Sequence, residues 1–264
     1  MGVLNLTPDS FSDGGRFLYP EKAVEHALHL VREGADLLDL GAESTRPGAE
    51  PVSEDEEWRR LEPVLLLLAG KTTVPLSIDT TKPKIARCAL AAGAHIINDV
   101  SGLADPQMAD VVRTFGAGLI LMHRRGNPKT MQSLTHYEDT VAEILKELRA
   151  GIDRALQAGI VREQLVIDPG LGFAKDAGQN IEILRELGQF HSLGLPVLLG
   201  PSRKSFIGKV TGREIGDREY GTAAVAGYAV TKGVHILRVH DVGAARDAVR
   251  ITRAIQGASH VRSL

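Results

Sequence analysis

Residues 74–102 read VPLSIDTTKPKIARCALAAGAHIINDVSG, a strand, a helix and a second strand in 29 residues. Leu76–Asp79 is a short, nearly continuous apolar run ending in a carboxylate, the pattern of a strand buried on both faces. Residues 82–92 carry a helical pattern, Gly93 ends it, and His95–Asn98 is a second short run that also ends in a polar side chain. Outward from this unit, comparable runs stand at Val3–Leu6, Leu37–Leu40, Leu119–Met122, Leu165–Asp168, Val197–Leu199 and His235–Val239. Helical patterns occupy the remaining intervals, at about 20–33, 53–69, 105–115, 137–158, 178–190 and 221–231, and a last one follows at 241–256. Eight units in 264 residues average about 33 residues each, the size of a βα repeat. The expectation is an α/β chain folded as a single (β/α)8 TIM barrel over residues 1–264. The alternative is an open doubly wound sheet, but the glycine-rich dinucleotide fingerprint of that architecture is absent after the first strand.

Composition narrows the function classes. With 43% hydrophobic and 24% charged residues the chain has enough apolar surface for a core, and no apolar run approaches the roughly 20 residues that span a membrane. A net charge of −2 provides no broad field for nucleic acid, so any anionic ligand must be held by local groups. The single cysteine, Cys88, cannot form an intramolecular disulfide, and no charged-then-apolar segment opens the chain. A cytoplasmic location is expected.

Polar residues recur at or just beyond the predicted strand ends: Asn5, Asp39, Asp79, Asn98, His123, Asp168, Ser202–Lys204 and Arg238–His240. A lone strand-end Asp is usually a helix cap or turn former. Eight successive occurrences at the C-terminal ends instead describe one barrel mouth, where the active sites of this architecture lie. Two loops at that mouth, NLTPDSFSDGG (5–15) and DLGAESTRPG (39–48), use the ordinary turn alphabet, yet the first also carries the apolar Phe11 and the second Arg46. Such loops suit a lid over a flat, partly apolar ligand.

With those two loops, the motifs LSIDT (76–80), INDVSG (97–102), LMH (121–123), DPGLGFAK (168–175), GPSRKSFIG (200–208) and RVHD (238–241) follow in order along the chain. In these the chain resembles the dihydropteroate synthases, within the wider family of pterin-binding (β/α)8 barrels. The resemblance covers nearly the whole chain. It implies a transferase of folate biosynthesis that joins 6-hydroxymethyl-7,8-dihydropterin diphosphate to p-aminobenzoate, releasing pyrophosphate and forming 7,8-dihydropteroate. Pterin-binding methyltransferases share the strand-end Asp and Asn pattern, whereas the first lid loop and SRKSFIG distinguish the synthases. A non-catalytic paralogue and a phosphosugar enzyme on the same fold also compete with this reading. Phosphosugar enzymes usually carry a glycine-rich phosphate loop after strands 7 and 8, which SRKSFIG and RVHD do not match.

By resemblance, Asp168 binds the pterin edge, where a carboxylate can accept two adjacent N–H groups, with Asn98, Asp79 and Lys204 completing that pocket. Arg238, His240 and Asn5 belong to a diphosphate pocket, Asn5 lending its amide oxygen to a Mg2+ ion. Thr45, Arg46 and Pro47 on one side, with Phe173, Lys204 and Ser205 on the other, form the p-aminobenzoate slot. The mechanism expected is ionisation first: departure of diphosphate leaves a delocalised pterin-methyl cation, stabilised by Asp79 and shielded by Asp13 of the first loop. His123 is either a supporting site residue or packing. Arg124 and Arg125 stand where relatives often have less charged residues. The resemblance further implies a homodimer formed through the alanine-rich helices at 221–231 and 241–256. Strand 1 begins almost at Met1, so the capping strand or hairpin usual in relatives is expected to be missing or encoded upstream.

Overall fold

The computed structural model describes residues 1–7 and 19–257, in which strands and helices alternate. In chain order they are β1 (Gly2–Asn5), α1 (Tyr19–Arg32), β2 (Leu38–Gly41), α2 (Glu54–Leu68), β3 (Leu76–Asp79), α3 (Pro83–Ala91), β4 (Ile96–Asp99), α4 (Pro106–Phe115) and β5 (Gly118–Met122). Then come α5 (Thr140–Gln157), β6 (Leu165–Asp168), α6 (Ala177–Arg185), β7 (Leu198–Leu199), α7 (Ser205–Thr211), α8 (Glu219–Thr231), β8 (Ile236–Leu237) and α9 (Val242–Ile255). β1 to β6 form a parallel sheet in sequence order, and β7 pairs with β8. Bridges between Ile167 and Val197 and between Gly2 and Val239 join the two sheets on both sides, closing the ring. The fold is the expected (β/α)8 barrel, in which closure leaves no sheet edge unpaired.

Helix boundaries follow local chemistry. Asp105 caps α4 by accepting from the Gln107 N–H, Pro106 occupies its first turn, and Gly116 ends it in a left-handed conformation. Asp176 and Gln179 form a capping box at α6, and Asp241 of the RVHD motif caps α9. Three details depart from the sequence reading. The helix expected over 178–190 stops at Arg185 and gives way to a 3-10 turn at Leu187–Leu193. β7 and β8 hold only two ladder residues each, with Val197 and Val239 left as the bridging positions. The loop expected after strand 7 contains helix α7.

Alternation along the strands separates two apolar cores. Leu38, Leu40, Ile78, Ile97, Leu119, Ile167 and Leu199 pack with helix residues such as Leu61, Leu65, Ile85 and Ile144. A second cluster of Met1, Ile120 and Leu198, edged by Leu37, Ile96, Val166 and Ile236, fills the barrel itself. Two residues beyond Leu37, Ile96, Val166 and Ile236 stand Asp39, Asn98, Asp168 and Arg238. Since side chains two apart on a strand share a face, these four project into the same interior one layer nearer the mouth.

Candidate active site

The register aligns Asn5 with Gly41, Gly41 with Asp79 and Asp79 with Asn98 across four neighbouring strands. Arg238, just beyond β8, reaches these residues. Its Nε lies 2.6 Å from Asp39 Oδ2 and its Nη2 2.9 Å from Asp79 Oδ2. Asn98 Nδ2 also donates to Asp39 Oδ2, at 3.1 Å. Because a carboxylate only accepts, this contact fixes the amide orientation and leaves the Asn98 oxygen available to a ligand. Asp39 Oδ1, Ser77 Oγ and Asp79 Oδ1 are buried with no partner among the described residues. Burial raises the Asp79 carboxyl above the usual carboxylate range, with Arg238 opposing and Asp39 reinforcing the shift. Burial works against the Arg238 charge, but the two aspartates more than offset it. The site therefore contains a half-satisfied polar layer, which is costly unless a ligand supplies N–H groups.

Beside it, Asp168 ends β6 and accepts the Gly170 N–H at 2.7 Å. Its carboxyl is raised by burial, moderated by that hydrogen bond and by Lys204. Lys204 stands 4.3 Å above the Phe173 ring, a cation over an aromatic face. Burial lowers the Lys204 ammonium to about 8, against the pull of Asp168. The close fit depends on glycine: at Gly170, with φ +72°, a Cβ would lie 2.0 Å from the His123 carbonyl oxygen, and at Gly172, with φ +82°, 3.2 Å from Lys204 Cδ. Ser205 is exposed at the start of α7, next to Lys204. Phe173 and Lys204, which the resemblance put on one side of a slot, are in contact here.

The structure alters the reading of the diphosphate pocket. Arg238 is bonded inside the barrel to Asp39 and Asp79, so it belongs to that polar layer, and its removal cannot leave the layer unaffected. His240, placed by resemblance in the same pocket, is not a free donor. Instead both ring nitrogens are engaged: Nδ1 with Ser202 Oγ at 2.8 Å and Nε2 with Asn5 Nδ2 at 3.3 Å. Burial and nearby cations, Arg238 first among them, lower its imidazolium to about 3. A neutral ring accepting from Asn5 turns the Asn5 amide oxygen the other way, free for a cation. Among the described residues no cluster of three His, Cys, Asp or Glu could hold a metal. One protein oxygen is nevertheless a suitable share for Mg2+, which keeps water and substrate phosphate oxygens as its other ligands.

Around the mouth, Arg46 and Pro47 are exposed and Thr45 half-buried. Their loop is tied down at its ends: the Gly48 N–H donates to the Pro128 carbonyl at 2.9 Å, and Lys82 bridges Glu43 (2.8 Å) and the fully buried Glu57 (2.5 Å). Arg46 comes close enough to His240 to disfavour its protonation. His123 lies 4% exposed just beyond β5, its ring between Glu147 and Lys175, so it links these residues beside the mouth. Asp13 and Phe11 lie outside the described residues. Sequence reasoning placed Asp39 and Ser202 at the mouth without a particular role and did not single out Ser77. The usable signal was parity: Asp39 and Ser77 share the inward face with Gly41 and Asp79.

Comparison with known proteins agrees with this geometry. The family described as pterin binding enzymes matches residues 1–240. A dihydropteroate synthase from Synechocystis sp. is 46% identical over 257 residues, covering 97% of this chain and 89% of that protein. A dihydropteroate synthase structure from Xanthomonas albilineans with 4-aminobenzoic acid superposes with a TM-score of 0.92 at 47% identity, over 97% of this chain and 92% of that one. A second structure of the Xanthomonas albilineans synthase, in complex with 7,8-dihydropteroate, has a TM-score of 0.88 at 44% identity, with 97% and 92% coverage. From its strand-end residues, its barrel and these likenesses, the chain belongs to the pterin-binding enzymes and, within them, to the dihydropteroate synthase family.

Proposed function

We propose that this barrel condenses 6-hydroxymethyl-7,8-dihydropterin diphosphate with p-aminobenzoate, giving 7,8-dihydropteroate and pyrophosphate. The observation that carries the reading is that Asp79 Oδ1, Asp39 Oδ1 and Ser77 Oγ have no partner among the described residues, in a layer shared with Asn98 and Asp168. A pterin presents ring and exocyclic N–H groups along one edge, which would satisfy such acceptors. The relatives solved with 4-aminobenzoic acid and with 7,8-dihydropteroate support both halves of the reaction. A turnover assay with the two substrates, with and without Mg2+, tests the proposal; failure to form pteroate product overturns it.

In the mechanism, Asp168 and the Asn98 oxygen orient the ring, and Lys204 donates to its carbonyl oxygen. Mg2+, held by Asn5 and diphosphate oxygens, would neutralise the charge of the leaving group. The C–O bond breaks with its electron pair leaving on pyrophosphate. Asp79 faces the ring as positive charge spreads over it, and Arg238 fixes that carboxylate in place. The arylamine nitrogen then forms the C–N bond and loses a proton. Phe173 and Lys204, with Thr45, Arg46, Pro47 and Ser205 around the rim, provide the slot for p-aminobenzoate.

The proposal includes a homodimer. Ile251 and Ile255, one turn apart on α9, are 63% and 81% exposed, and Tyr228 on α8 is 41% exposed, apolar side chains that a second copy would cover. Light scattering coupled to gel filtration reads the mass directly. A cytoplasmic site of action agrees with the unpaired Cys88. No described helix is long and apolar enough to cross a membrane.

A further inference from the structure

Beneath the strand-6 loop lies a buried cation that the mechanism does not use. Lys175 is 3% exposed. Its Nζ lies 2.8 Å from the Phe173 carbonyl oxygen, 3.0 Å from that of Gly170 and 2.9 Å from His123 Nδ1. An ammonium has three donors, and these three acceptors use them all. His123 must then carry its proton on Nε2 and donate to Glu147 Oε2 at 2.9 Å, a carboxylate that also pairs with Arg125. Two further contacts grip the loop: Tyr137 Oη donates to the Ala174 carbonyl at 3.0 Å, and Asn180 Oδ1 accepts the Gly172 N–H at 2.7 Å.

The loop needs such restraint. Gly170, Gly172 and Ala174 all have positive φ, at 72°, 82° and 53°, so every second residue is left-handed. Such backbone persists only where its surroundings over-determine it. Between these residues stands Phe173, whose ring faces Lys204. Enclosing an ammonium here is costly, and burial pulls Lys175 down to about 7 against the charge of Asp168. An apolar side chain would avoid that cost but would leave the Phe173 carbonyl with no partner among the described residues and the Gly170 carbonyl with only the Phe173 N–H, at 3.1 Å.

We infer that Lys175 is a positioning residue for the p-aminobenzoate slot: its ammonium ties the strand-6 loop to His123 beyond β5, and so sets where Phe173 stands against Lys204. The inference rests on the reading that this slot takes p-aminobenzoate. It is tested by steady-state kinetics on Lys175→Met and Tyr137→Phe, beside Phe173→Ala and the unaltered protein, with calorimetric titration of the pterin diphosphate. In Lys175→Met the KM for p-aminobenzoate should rise about tenfold or more, kcat should stay within about threefold, and pterin diphosphate affinity within about twofold. Tyr137→Phe should shift the same KM by about two- to fivefold with the same split. If Lys175→Met does not fold, Tyr137→Phe decides on these criteria. A fall in kcat at constant KM, an equal loss of pterin affinity, or no change overturns the role of Lys175. No turnover of p-aminobenzoate by the unaltered protein, or an unchanged KM in Phe173→Ala, would instead refute the reading of the slot.

Discussion

Replacing Arg238 with methionine would remove the cation bonded to both Asp39 and Asp79, at 2.6 Å and 2.9 Å. The two carboxylates are 0% and 8% exposed, so water cannot replace the guanidinium. Breaking a buried pair costs about 3–5 kcal/mol. That loss has a ceiling, since one carboxylate can take up a proton. For a carboxyl of ordinary pKa near 4 the uptake costs at most about 4 kcal/mol at pH 7, at about 1.4 kcal/mol per pH unit. Asp79, already raised by burial, is the first to accept it. The variant should thus lose about 3–4 kcal/mol at pH 7 and less at pH 5, because its folded state holds the Asp79 proton more fully near pH 7 than the parent's, whose Asp79 is itself raised by burial. Urea unfolding followed by circular dichroism at both pH values measures this. Adding Asp39→Asn to Arg238→Met should restore at least about half of the loss at pH 7 by removing one uncompensated charge. A loss equal at pH 7 and pH 5, or a double variant no more stable than the single one, would refute the account of Arg238 as the counter-ion of this layer.

Other outcomes follow from the same geometry. Asp79→Asn should lower kcat about 100-fold or more while changing pterin diphosphate affinity less than about tenfold, in single-turnover and calorimetric measurements; equal losses would make Asp79 a binding residue only. Burial holds the His123 imidazolium at about 4 instead of 6.5, so the unfolded chain binds a proton there that the folded chain refuses. Stability from this residue is complete above pH 6.5 and is lost as pH falls towards 4, by about 3 kcal/mol in all; an NMR titration showing His123 protonating near pH 6.5 would contradict it. Gly172→Ala places a Cβ 3.2 Å from Lys204 Cδ on a backbone with φ +82°. A destabilisation of about 1–2 kcal/mol and a several-fold higher KM for p-aminobenzoate should result, and an unchanged KM would refute the Gly172–Lys204 packing.

Much of the barrel was legible because parallel strands buried on both faces are short apolar runs that stand out between amphipathic helices. The weakest strands were legible only in part. Val197 and Val239 look like strand interior in sequence, yet they make single bridges, because β7 and β8 meet neighbours at the two seams where the ring closes. Helix α7 was missed for a different reason: SRKSFIG is short and rich in charged and hydroxyl residues, a loop composition that tertiary packing of Phe206 and Ile207 overrides.

The site divides in the same way. Asn5, Asp79, Asn98, Asp168 and Lys204 were identifiable as mouth residues because their order along the chain and their place at strand ends are properties of one dimension. What Arg238 and His240 do was not, since their partners lie up to 235 positions away, at Asn5, and are chosen by how the ring closes. Linear order settled the fold class, the family and the residues at the mouth. Only three-dimensional closure decided which charge pairs with which, that Ser77 joins the site, and that Lys175 is buried. Pairing and desolvation depend on distance and enclosure, which a strand's own pattern does not contain.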